Sequence, residues 1–544
     1  MTSAQNTASA NHAGSTRGVV AAGSPFAAQA GARILREGGN AADAAIATAL
    51  ALAVADPANN SLFGRCQIVV RASDGACRAI DGASQAPAGT PPRAGDHGAR
   101  DAREGYRAVP VPGLPGALAK LHAAHGRIAL ARVAAPAAQL AEAGFEPPAH
   151  LAAVWAARAG ELRANAPARE AYLARDSDAV PRPFRHPRLA ALIRAFGEQG
   201  AEALARGATA RELARAVSDS GGYWSASDLA ACAARDGEVV RGRFRDCEVV
   251  TVGRQAWGHT LVQMLSMLDA MPRFGRALDG VEAERLLLTF LCALSDRPQA
   301  IGTLEPKTFG LPYETLVDRA FCERRAALVQ ALIDGERAPR LAPAAAAPVA
   351  AHGPAHGHGR EAGPGDDPDT THLSVIDAEG ASVAMTCSIG PHFGARVADP
   401  VHGVLLAHSY RMASDPKPGA RDETEMSPVI VTRNGKLLLS LGAAGSERIP
   451  GAIAQVIVNV LDRGLDLPSA IAFPRVNVKE GAIRLHEDAG ESVAGALRAR
   501  GYAFARSARG HLEHLGVVHG CGAGDRGAWV GAADPAWDGA AAAP

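Results

Sequence analysis

The chain has 544 residues, of which 47% are hydrophobic and 21% charged, so it is long enough to bury a sizeable core. Lys plus Arg and Asp plus Glu both number 56, and this balance gives no reason to expect binding to nucleic acid or to an anionic membrane. The eight cysteines contain no CxxC pair, which argues against a disulfide framework or a zinc cluster. We therefore expect mostly reduced, buried cysteines and a small-molecule partner.

The first 18 residues lack the charged start and continuous apolar core of a secretory signal. No stretch of the sequence reaches the roughly 18 apolar residues that span a bilayer. The sequence therefore predicts a cytoplasmic protein.

The predicted elements begin with a short apolar strand and two helices between residues 19 and 56. The first helix ends at Gly38-Gly39, and the second is almost entirely apolar and stops before Pro57. Such a helix is too hydrophobic to face water, so we predict that it is central. Residues 66–84 then predict two strands that form a hairpin at Asp74-Gly75. Residues 110–330 are mostly helical by pattern, with strands near 246–253.

Residues 339–369 are rich in Ala, Pro, Gly and His, and this composition cannot bury enough apolar surface to order itself. Beyond this linker the pattern predicts strands at 371–377, 380–388, 427–442, 477–486 and 514–522 and a long apolar helix at 451–464. Strand-rich and helix-rich blocks that alternate irregularly favour an α+β layered sandwich over a doubly wound sheet.

Thr370 directly follows this linker and begins a strand. A threonine hydroxyl is a poor nucleophile until a base takes its proton, and a cut between Asp369 and Thr370 would free an α-amine as that base. Such an amine titrates near pH 8, close enough to neutrality to carry a proton. These residues alone leave open an ordinary loop-to-strand junction.

The stretch "TTHLSVIDAEGASVAMT", residues 370–386, resembles the opening of the small subunit in the γ-glutamyltransferase family of N-terminal-nucleophile hydrolases. Further similar blocks follow in the family's order over nearly the whole chain, at residues 31–57, 108–145, 221–232, 425–477 and 531–541. The resemblance implies a four-layer αββα sandwich. It also implies self-cleavage into a large chain, 1–369, and a small chain, 370–544, that stay together as one heterodimer.

The resemblance also assigns the catalytic groups. Thr370 takes the place of the nucleophile, and Ser388 that of a second threonine whose hydroxyl orients the first. Gly445 and Ser446 take the place of a glycine pair whose backbone N–H groups stabilise the oxyanion. This chemistry implies no cofactor and no metal.

The family's glutamyl-binding side chains are largely replaced. An arginine becomes Ala83 and an asparagine becomes Gly390. The remaining positions, for a glutamine, an aspartate and two serines, hold Ser409, Met412, Thr424 and Glu425. Removing an Arg–carboxylate pair leaves a substrate charge unmatched, so a γ-glutamyl substrate is expected to bind poorly.

New substrate contacts are expected from Arg65 in a changed glycine-rich loop, and from Arg411 or His408. We therefore predict an amidohydrolase that hydrolyses the amide of a small acid such as oxamate, and similar family members include acylases of β-lactam side chains. The alternatives are a γ-glutamyltransferase or glutathione hydrolase with a rebuilt pocket, and a catalytically inactive binding homologue. The sequence leaves open hydrolysis against transfer, and whether two heterodimers pair.

Three other features favour structural roles. The histidines of "AHGPAHGHG", residues 351–359, lack fixed geometry, so no metal site is expected there. His372 shares a strand face with Thr370 by alternation, and we expect it to form structural hydrogen bonds. Cys387 lies on the opposite face from Ser388, where we expect it to pack as an apolar residue.

Overall fold

The computed structural model describes residues 11–91, 105–175, 177, 179–297, 311–335, 368–410, 412, 417–479, 481–510 and 514–544. These residues form two seven-stranded sheets and one three-stranded sheet. The strands are β1 (His12–Ser15), β2 (Gly18–Ala22), β3 (Arg65–Arg71), β4 (Cys77–Gly82), β5 (Arg235–Gly237), β6 (Val239–Phe244), β7 (Cys247–Val252), β8 (Pro368–Asp377), β9 (Ser382–Pro391), β10 (Val429–Arg433), β11 (Lys436–Ala444), β12 (Val476–Lys479), β13 (Ala482–His486), β14 (Phe504–Ser507), β15 (Val517–Ala523), β16 (Trp529–Ala533) and β17 (Ala540–Ala542).

The helices lie mainly between residues 114 and 334 and after β11. They are α1 (Pro25–Arg36), α2 (Ala41–Ala55), α3 (Leu114–His125), α4 (Leu130–Ala143), α5 (Ala149–Arg163), α6 (Ala166–Tyr172), α7 (Pro187–Gln199), α8 (Glu202–Ala205), α9 (Gly207–Asp219), α10 (Ala226–Ala231), α11 (Gly258–Asp269), α12 (Gly280–Asp296), α13 (Tyr313–Leu316), α14 (Arg319–Asp334), α15 (Ile449–Leu461), α16 (Leu467–Ala472) and α17 (Glu491–Ala499). Short 3₁₀ turns lie at Tyr106–Ala108, Ser446–Arg448, Glu487–Ala489 and Asp525–Gly527.

The two large sheets stack face to face between helix layers. The first sheet has the strand order β17-β2-β8-β9-β3-β4-β5 and the second β1-β16-β15-β11-β10-β7-β6. Strands β11 and β15 of the second sheet lie against β8 of the first, α2 packs on β8 and β9, and α15 packs on β11. These four layers confirm the predicted α+β, αββα sandwich.

Local signals explain where the first elements begin and end. Asn40 caps α2 by accepting a hydrogen bond from the amide of Asp43, whose side chain accepts from the amide of Asn40 in return. Every residue of α2 is buried, which confirms that this apolar helix is central. The predicted hairpin is also confirmed, because Arg71 pairs with Cys77 and Gly75 adopts φ +93° in the turn.

Three differences from the predicted elements concern strands. Residues 427–442, predicted as one strand, form the antiparallel pair β10 and β11. The backbone of β8 begins at Pro368, two residues before the predicted start of the small chain; the rest of the predicted linker, 339–367, lies outside the described residues. The region predicted as one strand at 477–486 forms the pair β12 and β13, which β14 extends into the three-stranded sheet. Gly481, at φ +79°, lies between β12 and β13, where the chain reverses.

Both large sheets contain strands from before and after residue 370. In the first sheet β8 pairs with β2 and β9 pairs with β3, whereas in the second β10 pairs with β7 and β16 pairs with β1. Both parts of the chain therefore belong to the same sandwich. Within the described residues, no helix is both long and apolar enough to cross a bilayer.

Candidate active site

Thr370 lies at an irregularity between β8 and β9. Asp369 pairs with Gly390 and Thr371 pairs with Cys387, so that Thr370 alone faces both Ser388 and Ile389. Such a bulge bends its strand locally and re-aims a side chain. Thr370 is only 5% exposed, so the candidate nucleophile is held inside the protein at the start of β8.

The face of β8 that carries Thr370 is turned toward the second sheet. By strand alternation Thr370, His372 and Ser374 share one face. The Ser374 hydroxyl oxygen lies 3.5 Å from that of Ser440 in β11, and a Cβ placed on Gly442 of β11 would lie 2.2 Å from the His372 ring. The candidate nucleophile therefore lies at one end of the space between the two sheets.

His372 has the structural role predicted for it. Its Nδ1 lies 2.9 Å from the Thr386 hydroxyl and its Nε2 lies 2.9 Å from the Ser374 hydroxyl. Burial holds the pKa of His372 well below its usual range, and the nearby His519 lowers it further, so the ring is neutral at pH 7. A neutral imidazole with both nitrogens engaged stabilises the interior of the sandwich.

Ser388 is buried in β9 beside the bulge. Its Oγ accepts a hydrogen bond of 2.9 Å from the amide of Gly390, and its backbone partner in β3 is Arg65. Gly390 adopts φ +94°, so a residue with a side chain is disfavoured there. Cys387, on the other face, is completely buried in the core beneath the helices, which confirms its predicted packing role.

A tight turn follows the end of β11 and lies against β8. Gly445 and Ser446 both have positive φ, of 127° and 54°. The amide and the Nε of Arg448 each donate to the Gly445 carbonyl at 3.1 Å, which fixes the peptide that joins Gly445 to Ser446. Because C=O and N–H of a trans peptide point in opposite directions, the Ser446 amide points away from Arg448.

His514 explains why glycine stands at the first position of this turn. A Cβ on Gly445 would lie 2.8 Å from the His514 ring and 3.1 Å from the Gly516 Cα. The His514 ring in turn packs edge-on against Trp537, with 4.8 Å between ring centroids. The sequence analysis missed both aromatic side chains, because no local pattern connects them to Gly445.

Arg65 lies at the start of β3 and is 5% exposed. Its Nη1 donates to the carbonyl of His408 at 2.8 Å and to Asp422 Oδ2 at 3.4 Å, and it lies 3.5 Å from the Ser84 hydroxyl. The guanidinium therefore reaches the residue next to Ala83, the position where the resemblance places the family's arginine. Sequence reasoning missed Asp422 and Ser84.

His408 and Ser409 lie next to the end of β9. The His408 amide donates to the Ile389 carbonyl at 2.8 Å, and the His408 ring packs against Tyr410 with 4.7 Å between centroids. Ser409 donates its hydroxyl to Asp422 Oδ1 at 2.7 Å. The structure thus brings Arg65, His408 and Ser409 together beside Ser388, whereas Arg411 lies outside the described residues.

Thr424 and Glu425 lie on a neighbouring segment. The Thr424 amide donates to the Gln255 carbonyl at 3.0 Å, and its hydroxyl accepts from the Met426 amide at 3.2 Å. Beside this segment is a polar cavity of about 210 Å³ lined by Gln67, Asp81, Gln255 and Arg421, among others. None of the predicted site residues lines that cavity.

Arg297 is a further charged residue that the sequence analysis missed. Burial lowers the pKa of its guanidinium to about 10, while Tyr313, Glu423, Glu425 and Glu447 oppose that shift. The guanidinium carbon lies 3.6 Å from the centre of the Trp257 ring, and Nη1 donates to the Thr260 hydroxyl at 2.9 Å. Two of the carboxylates that favour the charged form of Arg297 are Glu425, a predicted site residue, and Glu447, which comes directly after Ser446.

Among the described residues, no group of three or more His, Cys, Asp or Glu side chains is arranged to hold a metal ion. The histidine-rich stretch 351–359 lies outside those residues. All eight cysteines are free.

The two stacked sheets and their helix layers form a sandwich of the N-terminal-nucleophile hydrolase type. The solved cephalosporin acylase from Bacillus halodurans has this fold, with a TM-score of 0.81 and 24% identity over 100% of this chain and 99% of that one. The family model for gamma-glutamyltranspeptidase matches residues 27–544, so the chain belongs to that family. The family resemblance inferred from the sequence is therefore confirmed.

Two relatives of this chain show how the family varies. The acylase ACY 1 proenzyme of Pseudomonas sp. (strain SE83) is 32% identical over 520 residues, which cover 91% of this chain and 89% of that protein. The glutathione hydrolase proenzyme of Escherichia coli (strain K12) is 26% identical over 547 residues, which cover 95% and 90%. The family thus includes acylases as well as glutathione hydrolases.

Proposed function

We propose that this enzyme is a self-processing amidohydrolase in which Thr370 is the nucleophile and the substrate is the amide of a small acid. One observation carries the proposal: Thr370 is buried at a bulge opposite Ser388, on the sheet face against which the Gly445–Ser446 turn lies. Nucleophile, orienting hydroxyl and oxyanion donors are the three groups that acyl transfer requires.

Processing would hydrolyse the Asp369–Thr370 peptide bond with one water molecule, leaving a carboxylate on Asp369 and an α-amine on Thr370. The products are a large chain, 1–369, and a small chain, 370–544. Five strand pairings cross the cut and would keep the two chains together as a heterodimer: β2 with β8, β2 with β17, β3 with β9, β7 with β10 and β1 with β16.

In turnover, the Thr370 α-amine accepts the hydroxyl proton while Oγ1 attacks the carbonyl carbon of the substrate amide. The amides of Gly445 and Ser446 stabilise the oxyanion, and the proton passes to the departing nitrogen, which leaves as ammonia or an amine. Water then hydrolyses the ester on Thr370 and releases the acid. Every step uses groups of this chain and water, so the proposal includes no cofactor.

The acyl group would be bound by Arg65, His408 and Ser409, with Arg411 from the same segment and Thr424 and Glu425 from the neighbouring one. The amide of a short acid, such as oxamate, fits the proposal best, because Arg65 supplies a buried guanidinium close to Ser388. Bulkier amides are a second candidate, and the 32% identity to an acylase proenzyme favours them. A γ-glutamyl donor would lack partners at Ala83 and Gly390.

The central experiment is intact-mass spectrometry of the purified wild type beside Thr370→Ala and Thr370→Ser. We expect two chains with a break before Thr370 in the wild type, a single chain in Thr370→Ala, and slower cleavage in Thr370→Ser, which keeps a hydroxyl. Cleavage in Thr370→Ala would refute the nucleophile, and an uncleaved wild type would favour an inactive binding homologue.

A substrate screen follows on the cleaved enzyme. Ammonia release from oxamate, amine release from acylated p-nitroanilides, and transfer from γ-glutamyl-p-nitroanilide to glycylglycine separate the three candidate activities. Arg65→Ala should raise KM for oxamate and leave self-cleavage intact. Efficient transfer to glycylglycine would instead establish a γ-glutamyltransferase with a rebuilt pocket.

We also propose a cytoplasmic location. The free thiols of all eight cysteines are those expected in a reducing compartment. Fractionation of cells that make the protein should recover it with cytosolic markers, and recovery with secreted or periplasmic markers would contradict this part of the proposal.

A further inference from the structure

Asp422 is a buried carboxylate at which three separate segments of the site meet. It is 3% exposed. Its Oδ1 accepts from the Ser409 hydroxyl at 2.7 Å, and its Oδ2 accepts from the Ser84 hydroxyl at 2.6 Å and from Arg65 Nη1 at 3.4 Å. The Asp422 amide also donates to the Ser84 carbonyl at 2.9 Å. An ionised carboxylate only accepts hydrogen bonds, so Asp422 matches these three donors.

These contacts hold the guanidinium of Arg65 in one pose. Among the described residues, its hydrogen bonds come from Nη1, to His408, Asp422 and Ser84. Its Nε is buried and donates to no acceptor among those residues. The Nε–Nη2 edge of an arginine can receive a carboxylate through two parallel hydrogen bonds, and no described residue accepts a hydrogen bond from this edge of Arg65.

Asp422 also sets the segment that follows His408. Ser409, held by Asp422, accepts a hydrogen bond from the Met412 amide at 3.2 Å. The Cβ that Gly390 lacks would lie 3.1 Å from the His408 carbonyl oxygen, so this segment packs directly on the end of β9 beside Ser388. One carboxylate thus connects the guanidinium to the backbone next to the candidate nucleophile.

We propose that Asp422 is a positioning residue, which holds Arg65 by Nη1 so that its Nε–Nη2 edge is available to a carboxylate on the acyl group. The inference rests on the proposed amidohydrolase function. The arginine that the resemblance places at position 83 is replaced by Ala83. Arg65 of β3 supplies a cation beside that position, and Asp422 holds it there.

The test uses the cleaved enzyme with two p-nitroanilides whose acyl chains have equal length. The glutaryl chain ends in a carboxylate, and the pentanoyl chain ends in a methyl group. In Asp422→Asn we expect KM for the glutaryl probe to rise about tenfold or more, because charged hydrogen bonds are lost. KM for the pentanoyl probe and self-cleavage should change less than about twofold. Asp422→Glu should restore part of the glutaryl KM.

Two controls separate positioning from general stability. Asp462→Asn removes another buried carboxylate, which pairs with Arg245 at 2.7 Å in the helix layer of the second sheet. It should lower thermal stability without changing the KM ratio of the two probes.

In an Arg65→Ala background, Asp422→Asn should add no further change to that KM ratio, since Asp422 acts through Arg65. Equal losses for both probes, or additive effects of the two substitutions, would overturn the proposal.

A binding measurement keeps this inference separate from the proposed function. Calorimetric titration with glutarate requires no turnover, and Asp422→Asn should bind it about tenfold more weakly than the wild type. A wild type that binds glutarate but is never cleaved refutes the proposed function and leaves the role of Asp422 standing. A wild type that binds no glutarate refutes the role of Asp422.

Discussion

The two faces of β8 and β9 differ sharply in composition. The face beneath the helices carries mostly apolar side chains, of which five are completely buried in one core cluster: Leu373, Val375, Val383, Met385 and Cys387. The face toward the second sheet carries mostly polar side chains at its site end: Thr370, His372, Ser374, Thr386 and Ser388. One pair of strands therefore has a stabilising face and a chemical face.

This difference shows how the sandwich carries reactive groups in its interior. Buried polar groups cost stability unless they are hydrogen-bonded, and the inter-sheet side chains satisfy one another, as His372 does with Thr386 and Ser374. The apolar face then supplies the hydrophobic stabilisation.

Leu373→Ala should break the stabilising face. Leu373 is completely buried beneath the helices, and truncation to alanine leaves a cavity, so the free energy of unfolding should fall by about 2–5 kcal/mol. Ser374→Ala, the next residue on the chemical face, should cost about 1–2 kcal/mol, since it removes a hydrogen-bonding hydroxyl from His372. Urea unfolding of both variants measures the difference, and equal losses would contradict the distinction between the faces.

Acid should weaken the chemical face. Burial lowers the pKa of His519 in β15 to about 4, although the Asp534 carboxylate opposes this shift. The unfolded chain, with an ordinary pKa near 6.5, binds this proton more readily, so stability is complete above pH 6.5 and falls toward pH 4 by up to about 3 kcal/mol. His372 has a lowered pKa as well and acts in the same direction.

Unfolding measured between pH 7 and pH 4 tests this prediction. His519→Gln carries no titrating ring, so its stability should fall less steeply over that range than that of the wild type. Identical slopes would mean that other groups cause the acid sensitivity.

Gly442→Ala should press the two sheets apart. The new Cβ would lie 2.2 Å from the ring of His372, which is held by hydrogen bonds on both nitrogens. Overpacking of this kind costs about 1–3 kcal/mol. Thermal unfolding measures the loss, and a neutral result would show that His372 can move without cost.

Gly495→Ala lies outside both faces and should have the smallest effect, of opposite sign. Gly495 is in the helix α17, and no atom lies within 4 Å of the position that its Cβ would take. Alanine in a helix is favoured over glycine by about 0.5–1 kcal/mol, so stability should rise. The same unfolding assay detects it, and a loss of stability would point to crowding around α17.

Much of the fold could be predicted from local pattern. The apolar run of α2 and the Asp74-Gly75 turn are each signals contained in a few neighbouring residues. The strand β14 and the three-stranded sheet escaped prediction, because a strand of four residues, of which two are exposed, carries little periodicity. The positions of Thr370, Ser388 and Gly445 came from the family resemblance, and their catalytic roles remain a prediction.

Periodicity within short stretches and the order of similar blocks were enough to predict most of the longer elements, the family and the position of the candidate nucleophile. Which buried polar groups meet depends on the tertiary structure. Arg65 and Asp422 are 357 residues apart and pair only because β3 and the segment before β10 are brought together at one end of the sandwich. Spacing along a chain contains no record of such a contact; the stacking of the two sheets creates it.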